Sequence, residues 1–193
     1  MLNFEKPTYK ITEYVENNNF GKFELEPLER GFGNTIGNAL RRVMLSSMPG
    51  SAIVAVKIDG VMHEFQTIEG VVEDVTAIIL NLKNVVLKNN SEEEQTIYLH
   101  ADTEGVVTAG DIKTNESVEV INKDQVIATL AKGGKLDMEL LVRNGRGYVP
   151  GDKNKQYIEN SKLGFIPIDA LYSPIEKISY EVENARVGQD ASY

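Results

Sequence analysis

Apolar residues recur at helical spacing between residues 34 and 48 of the sequence. Five of them share one side of a helix with 3.6 residues per turn, and they predict an apolar stripe that packs in the core: Ile36, Ala39, Leu40, Val43 and Met44. Asn34 or Thr35 is expected to cap the start, because a side-chain oxygen there can accept a hydrogen bond from an unpaired backbone N–H. Pro49-Gly50 is expected to end the helix.

The other side of this predicted helix carries Asn38, Arg41, Arg42 and Leu45. Two interpretations of that side stay open. Leu45 is either one more exposed leucine, which is common on protein surfaces, or an apolar anchor beside arginines. Arginine next to an apolar anchor is typical of the centre of an interface. Under the second interpretation the helix lies between its own sheet and a partner protein.

Alternation of apolar and polar residues predicts strands along much of the remaining chain. Residues 8–28 are predicted to form two strands joined by a turn at Asn17-Asn18-Asn19. Residues 52–65 are predicted to form a hairpin that turns at Asp59-Gly60. Shorter strands are predicted over residues 85–88, 96–100, 117–121, 126–130 and 136–143.

A second helix is predicted after residue 70, where apolar residues again recur at helical spacing: Val71 or Val72, Val75, Ile78, Ile79 and Leu82. Glu73 and Asp74 in its first turn and Lys83 at its end suit the helix dipole. Beyond the strands, residues 151–163 are polar and predict a loop. Residues 164–174 contain two prolines and predict an extended, packed segment, and residues 175–183 predict a final strand.

The composition is that of an ordinary globular protein, with 193 residues of which 41% are hydrophobic and 25% charged. There is neither an apolar run long enough to predict a membrane span nor a signal-peptide pattern. The absence of cysteine excludes disulfides and thiolate metal sites, and a cytoplasmic location is the simplest expectation. The formal net charge of −9 argues against direct DNA binding, because nucleic-acid binders neutralise phosphates with a basic surface.

No constellation of catalytic or metal-binding residues is found in the sequence. His63 and His100 lack the spacing of a ligand pair, so we expect no metal, no cofactor and no catalytic residue on this chain. Gly31, Gly33 and Gly37 do not match the dinucleotide fingerprint, and no Walker lysine follows them. We expect these glycines to set the angle at which the chain enters the helix. A nucleotide-binding enzyme that uses the Gly31–Gly37 loop stays open as an alternative.

A series of motifs runs in order along the chain. Residues 25–33 read Leu-Glu-Pro-Leu-Glu-Arg-Gly-Phe-Gly, and residues 37–50 read Gly-Asn-Ala-Leu-Arg-Arg-Val-Met-Leu-Ser-Ser-Met-Pro-Gly. Further motifs occupy residues 58–65, 73–75, 80–83, 107–112, 145–150, 169–174 and 185–187. Together they resemble the bacterial RNA polymerase alpha subunit family in its N-terminal domain, and they cover essentially the whole chain.

The resemblance implies an α+β fold with a discontinuous dimerisation subdomain, made of an antiparallel sheet and a helix, and an inserted β-rich subdomain. The first part of the dimerisation subdomain is expected at residues 1–49, the inserted subdomain at 50–171, and the incomplete second part at 172–193. It further implies a homodimer that scaffolds the beta and beta-prime subunits of a nucleotidyltransferase. Those large subunits carry the active site, so the alpha subunit supplies no catalytic residue.

Carried over position by position, the resemblance implies contacts with beta and beta-prime at Arg42, Leu45, Lys83 and Ile168. The apolar stripe of the first helix is expected to serve the second alpha copy as well as the core, with these candidates for the dimer interface: Phe32, Ile36, Leu40 and Val43. In the family a further strand and a long apolar helix follow the motif at residues 185–187, whereas this sequence stops at Tyr193. We therefore expect a C-terminally truncated chain with a weakened homodimer, no direct DNA binding and no membrane partner. A stand-alone protein-binding module is a further alternative.

Overall fold

The computed structural model describes residues 6–158 and 163–184, and its internal contacts divide the chain into two units. The first unit comprises Met1–Met44 and Lys177–Tyr193, and the second comprises Leu45–Glu176. Helices and antiparallel strands occur together, which confirms the α+β expectation. Which unit dimerises stays a prediction, as do the subdomain boundaries at residues 49/50 and 171/172. The motif at residues 185–187 lies outside the described residues.

The first unit contains a β-hairpin and most of the first helix. Its elements are β1 (Thr8–Val15), β2 (Phe20–Glu26) and α1 (Phe32–Ser47), whose last three residues belong to the second unit. β1 and β2 pair antiparallel from Thr8↔Glu26 to Val15↔Phe20, and Asn19 adopts a left-handed backbone with φ of 50° at the turn. The predicted hairpin is therefore confirmed.

Helix α1 begins earlier than its sequence suggested. Phe32 is its first residue, and the backbone N–H of Phe32 donates to the carbonyl of Glu29 at 3.0 Å. Asn34 and Thr35 therefore lie inside the helix, and the prediction that one of them caps it is wrong. The hydroxyl of Thr35 instead donates back to the carbonyl of Gly31 at 3.5 Å. The helix ends at Ser47, before Pro49, as predicted.

The apolar stripe of α1 is not part of a core in this chain. No residue of the helix is buried, and the side chains of Leu40 and Val43 are 51% and 55% exposed. Ile36 and Met44 are half-buried, and Ala39 is exposed. The prediction that this stripe packs in the core is therefore wrong for the chain by itself. Within the first unit, other residues of the chain cover a neighbouring side of the helix instead.

That covered side is formed by Gly33 and Gly37. A Cβ atom on Gly37 would lie 2.5 Å from the ring of Tyr180, and one on Gly33 would lie 2.7 Å from Val182. Four residues of helix rise about 6 Å, and two residues of extended chain span about 6.6 Å, so alternate residues of the segment match successive glycines. These two glycines serve close packing, so the expectation that they set the angle of the chain is wrong for them.

No strand occurs among the described residues 175–184. The predicted final strand is therefore wrong, although its alternation was informative. Tyr180 and Val182 both lie against the helix, at Gly37 and Gly33, and not against a neighbouring strand. Alternation reports which residues share a side, but it does not say whether the backbone finds a strand to pair with.

Over residues 45–158 and 163–176, which the structure describes, the second unit contains eleven further strands and two further α-helices. They are β3 (Pro49–Ile58), α2 (Val75–Lys83), β4 (Leu87–Asn89), β5 (Gln95–Ala101), β6 (Gly105–Thr108), β7 (Ile112–Lys113), β8 (Val118–Val120), β9 (Val126–Leu130), β10 (Leu136–Arg146), β11 (Tyr148–Val149), α3 (Gly151–Ile158), β12 (Ile166–Pro167) and β13 (Ala170–Leu171). Seven of these strands form an antiparallel sheet in the order β7-β5-β10-β3-β4-β8, with β12 also paired to β3, and β6–β9 and β11–β13 form two further pairs. The predicted short strands correspond to β4, β5, β8, β9 and β10, whereas β6, β7 and β11 were missed.

Strand β3 is buried on both sides. Ile53 and Val56 belong to the larger apolar cluster, whereas Ala52 and Val54 belong to a smaller one that includes Ile158 and Tyr172. A strand between two apolar layers has no polar side, so its sequence is a nearly continuous run of apolar residues. Helix α2 contacts β3 and β9, and α3 contacts β3 and β12.

The predicted hairpin at Asp59-Gly60 is wrong. The chain does turn there, with Gly60 at φ of 76°, but β3 pairs with β10 and not with the following residues. Residues 61–65 form no strand, because the side-chain oxygen of Gln66 accepts hydrogen bonds from the backbone N–H groups of Met62 and His63, the latter at 3.0 Å. The side chain of Gln66 therefore accepts from backbone N–H groups that would otherwise need acceptors on a neighbouring strand.

Helix α2 confirms the second predicted helix but begins at Val75. Asp74 is its N-cap, and its carboxylate accepts from the backbone N–H of Ala77 at 2.7 Å. Val71 and Val72 therefore precede the helix, and Lys83 is its last residue.

Helix α3 occupies part of the stretch that was predicted to be a loop. It contains few apolar residues, and contacts from elsewhere in the chain hold it: the side-chain amide of Asn154 donates to the carbonyl of Ile168 at 2.8 Å, and Ile158 is buried. The segment predicted to be extended, residues 164–174, contains β12 and β13 and no helix.

Candidate functional site

Of the predicted partner-binding residues, Lys83 and Ile168 are brought close together by the second unit. Lys83 is the last residue of α2, and its ammonium group lies 2.8 Å from the carboxylate of Asp169, the neighbour of Ile168 in sequence. The two side chains of this ion pair are 30% and 36% exposed. A charged pair that is open to solvent on one side can be reached by a partner.

Asp169 is the centre of this group. Its Oδ2 accepts from Lys83, and its Oδ1 accepts from the backbone N–H of Gly151, the first residue of α3, at 2.8 Å. The phenol of Tyr148 is close enough to this carboxylate to affect its pKa. The hydrogen bond from Lys83 is the main reason why the pKa of Asp169 is held below its usual range, and the Gly151 N–H adds to it. The hydrogen bond to Asp169 raises the pKa of Tyr148.

Ile168 itself faces inward. Its side chain is 3% exposed within the larger apolar cluster, and its backbone N–H donates to the carbonyl of Val54 at 2.9 Å. The structure therefore gives this side chain a packing role in the second unit. Its implied contact with a partner stays a prediction, and Asp169 is the more accessible residue at that place.

The last turn of α1 lies beside the same group. A Cβ atom on Gly147 would lie 3.2 Å from the carbonyl of Ser46, and Gly147 has a positive φ of 64°, which favours glycine. Gly147 precedes Tyr148, and its carbonyl accepts from the backbone N–H of Tyr172 at 2.8 Å. Leu45, next to Ser46, is half-buried.

Arg42 lies on α1 in the first unit and is exposed. It is three residues before Leu45, so helix geometry places both on one side of α1. On another side lie the predicted dimer residues, of which Phe32, Leu40 and Val43 are each more than half exposed. The predicted roles of all these residues stay predictions.

The glycines and histidines that raised other possibilities do not form a site. Gly33 and Gly37 lie within α1 under Val182 and Tyr180, so they form no loop that could receive a phosphate. His100 pairs across strands with Asp137, and His63 is exposed beside Phe65. Residues 6–158 and 163–184 contain no group of three or more His, Asp or Glu that could hold a metal ion.

Sequence reasoning missed Asp169, Tyr148 and Gly151 as members of the group. The signal was present, since Asp169 and Tyr148 fall in the motifs at residues 169–174 and 145–150. The β11–β13 pairing, which places Tyr148 opposite Leu171, brings those two motifs together in the folded chain.

Comparison with known proteins identifies the family. The family model described as the RNA polymerase Rpb3/RpoA insert domain matches residues 56–173, which is more than half of the chain. This chain belongs to that family. The match covers most of the second unit, so the group around Asp169 lies within the Rpb3/RpoA insert domain.

Relatives extend the likeness to all 193 residues. The chain is 56% identical to the DNA-directed RNA polymerase subunit alpha of Moorella thermoacetica, covering 60% of that protein. It is 53% identical to the subunit of the same name from Symbiobacterium thermophilum and 54% identical to that from Desulforamulus reducens, covering 61% of each. The chain thus spans about three fifths of the length of these relatives. In the part that the structure describes, no helix has the length and apolar character needed to cross a membrane.

Proposed function

We propose that this chain belongs to a non-catalytic assembly subunit of bacterial DNA-directed RNA polymerase, whose homodimer scaffolds the beta and beta-prime subunits for transcription. The observation that carries the proposal is the 53–56% identity over all 193 residues to three proteins named as alpha subunits. The chain then serves a nucleotidyltransferase in the cytoplasm without supplying active-site residues or binding a cofactor.

The exposed stripe of α1 supports self-association. Phe32, Leu40 and Val43 are large apolar side chains on one side of a single helix, and each is more than half exposed. Contiguous exposed apolar surface marks interaction sites in soluble proteins. In the proposal a second copy of the chain covers this stripe.

Two features support capture of the large subunits. Arg42 and Leu45 combine a guanidinium group with an aliphatic anchor on another side of α1, and arginines of that kind are enriched among interface hot spots. Lys83 is held in place by Asp169 and is partly exposed. In the proposal both contact beta or beta-prime.

Capture of purified beta subunit, encoded by the same genome, tests the assignment of Arg42. Arg42→Ala is expected to leave the circular dichroism spectrum unchanged and to weaken capture about tenfold or more, as the loss of a hot-spot arginine does. Arg41→Ala, an adjacent exposed arginine with no proposed contact, is the matched control and should bind like wild type. Equal capture by the two variants would contradict the role of Arg42, and failure of the wild-type chain to bind would contradict the proposed function.

The dimer is tested by sedimentation at increasing protein concentration. The wild-type chain is expected to show a mass that rises with concentration, and Leu40→Glu is expected to abolish that rise because a carboxylate in the stripe would have to be buried. A wild-type chain that stays monomeric, or a variant that associates equally well, would refute the stripe as the dimer surface.

A further inference from the structure

Asp169 joins three separate segments of the second unit. Lys83 at the end of α2 and the backbone N–H of Gly151 at the start of α3 each lie 2.8 Å from one of its carboxylate oxygens. A carboxylate with a donor on each oxygen has few other orientations that would satisfy both donors. The carboxylate is therefore fixed, and it fixes the lysine.

We propose that Asp169 is the positioning residue of the partner-binding surface at Lys83, and that this surface receives a neutral hydrogen-bond acceptor, such as a main-chain carbonyl, in preference to a carboxylate. The inference rests on the proposed function, because it takes the large polymerase subunit as the partner. It goes beyond that function by assigning a residue and a chemical class of contact.

The charge of the pair selects the acceptor. Lys83 has three N–H donors, and Asp169 takes one of them, so donors remain for a partner group. A partner carboxylate that approached Lys83 would also approach the negative charge of Asp169, and the repulsion would offset the attraction. A carbonyl oxygen has no net charge and avoids that repulsion.

Holding the lysine in advance also favours binding. A free lysine loses side-chain freedom when a partner immobilises it, and this loss weakens association. The ion pair with Asp169 restricts Lys83 before the partner arrives. The low pKa of Asp169 means that the carboxylate stays ionised throughout the neutral range, so the restraint persists at working pH.

The test measures the affinity of the full chain for beta subunit and for beta-prime subunit with wild type, Asp169→Asn, Lys83→Ala and the double variant, and it is read on the subunit whose binding Lys83→Ala weakens. Each single variant is expected to weaken binding about tenfold. Asp169→Asn made in the Lys83→Ala background should change affinity less than about twofold, because a positioning residue acts only through the lysine. Lys57→Ala is the matched control, since Lys57 is also ion-paired in this unit, at 3.6 Å from Glu139.

A merely structural role would give a different result. If Asp169 only stabilised the fold, the factors by which Asp169→Asn and Lys83→Ala weaken binding would multiply in the double variant. That outcome overturns the proposal, and so does wild-type affinity of Asp169→Asn. Asp169→Ser removes the charge and leaves a small hydrogen-bonding side chain, so it is the second variant if Asp169→Asn does not fold. It is expected to weaken binding in the same direction, and wild-type affinity of this variant overturns the proposal as well.

Salt dependence separates the two kinds of acceptor. The factor lost with Lys83→Ala should stay the same between low and high salt if the partner group is neutral, whereas a carboxylate partner would make that factor shrink as salt screens the charges. Shrinkage overturns the choice of a neutral acceptor. Failure of the wild-type chain to bind beta at all would instead refute the proposed function, so the two failures are distinguishable.

Discussion

The contact between Glu73 and Thr129 ties the start of α2 to β9, and its loss should destabilise the second unit measurably. One carboxylate oxygen of Glu73 accepts from the backbone N–H of Thr129 at 2.6 Å, and the other accepts from its hydroxyl at 3.0 Å. The backbone N–H of Val72 donates to the carbonyl of Thr129 at 3.0 Å, so the carboxylate extends a short ladder.

The expected magnitude follows from these two bonds. A hydrogen bond to a charged group contributes roughly 1.5–3 kcal/mol, and both residues are only half-buried, which lets water replace part of each bond. We therefore expect Glu73→Ala to lower the free energy of unfolding by about 2 kcal/mol. For a chain of this size that corresponds to a fall in Tm of about 4–8 °C. Glu73→Gln keeps one acceptor oxygen and should lose about half as much.

Urea and thermal unfolding followed by circular dichroism would measure the loss, since the sequence has no tryptophan to report on folding. Glu69→Ala is the matched control, because Glu69 is an exposed carboxylate on the same segment and should change stability by less than about 0.5 kcal/mol. Equal unfolding midpoints for Glu73→Ala and Glu69→Ala would show that the contact contributes nothing and would refute the reasoning.

Three further changes test other parts of the structure. The hydrogen bond from His100 is the main reason why the pKa of Asp137 lies below its usual range. The ionised carboxylate therefore stabilises the folded chain above pH about 4, and this stabilisation is lost as pH falls through the folded-state pKa. Asp137→Asn should cost less than about 1 kcal/mol of unfolding free energy at neutral pH, and the unfolding curves of wild type and variant should converge in acid. Gly37→Ala gains up to about 1 kcal/mol of helix propensity, but the added methyl group must displace the packed ring of Tyr180, which costs about 1–3 kcal/mol. The Tm of this variant should therefore fall, whereas the Tm of the exposed control Asn38→Ala should not. Leu140→Ala, at a fully buried position, should cost about 2–5 kcal/mol by urea unfolding, and a smaller loss would contradict the assignment of the core.

Sequence patterns predicted best where one short segment decides the outcome. The alternation in β10 places Leu136, Met138, Leu140 and Val142 in one apolar cluster, because side chains of a strand point to alternate sides. Helix α2 was predicted because its apolar residues recur every three to four positions, and Asp74, which was expected in its first turn, is its N-cap. In both cases the local signal and the tertiary packing agree.

The sequence predicted less where distant residues decide the outcome. Helix α3 has too few apolar residues to be recognised, and it depends on hydrogen bonds to acceptors outside its own segment, the carbonyl of Ile168 and the carboxylate of Asp169. The Asp59-Gly60 turn is real, yet β3 pairs with β10, about eighty residues away, which a local turn signal does not report. The group around Asp169 was missed for the same reason, because three of its members come from different elements.

The sides of helix α1 suggest how one element could serve two partners at once in the proposed assembly. The side with Gly33 and Gly37 is covered by the chain's own residues 180–182, so it is closed to a partner. At 100° per residue the centre of the stripe with Phe32, Leu40 and Val43 lies about 140° around the helix from the midpoint between Arg42 and Leu45. Partners that approach from directions so far apart do not compete for space, so Arg42→Ala should impair capture of beta without impairing dimerisation.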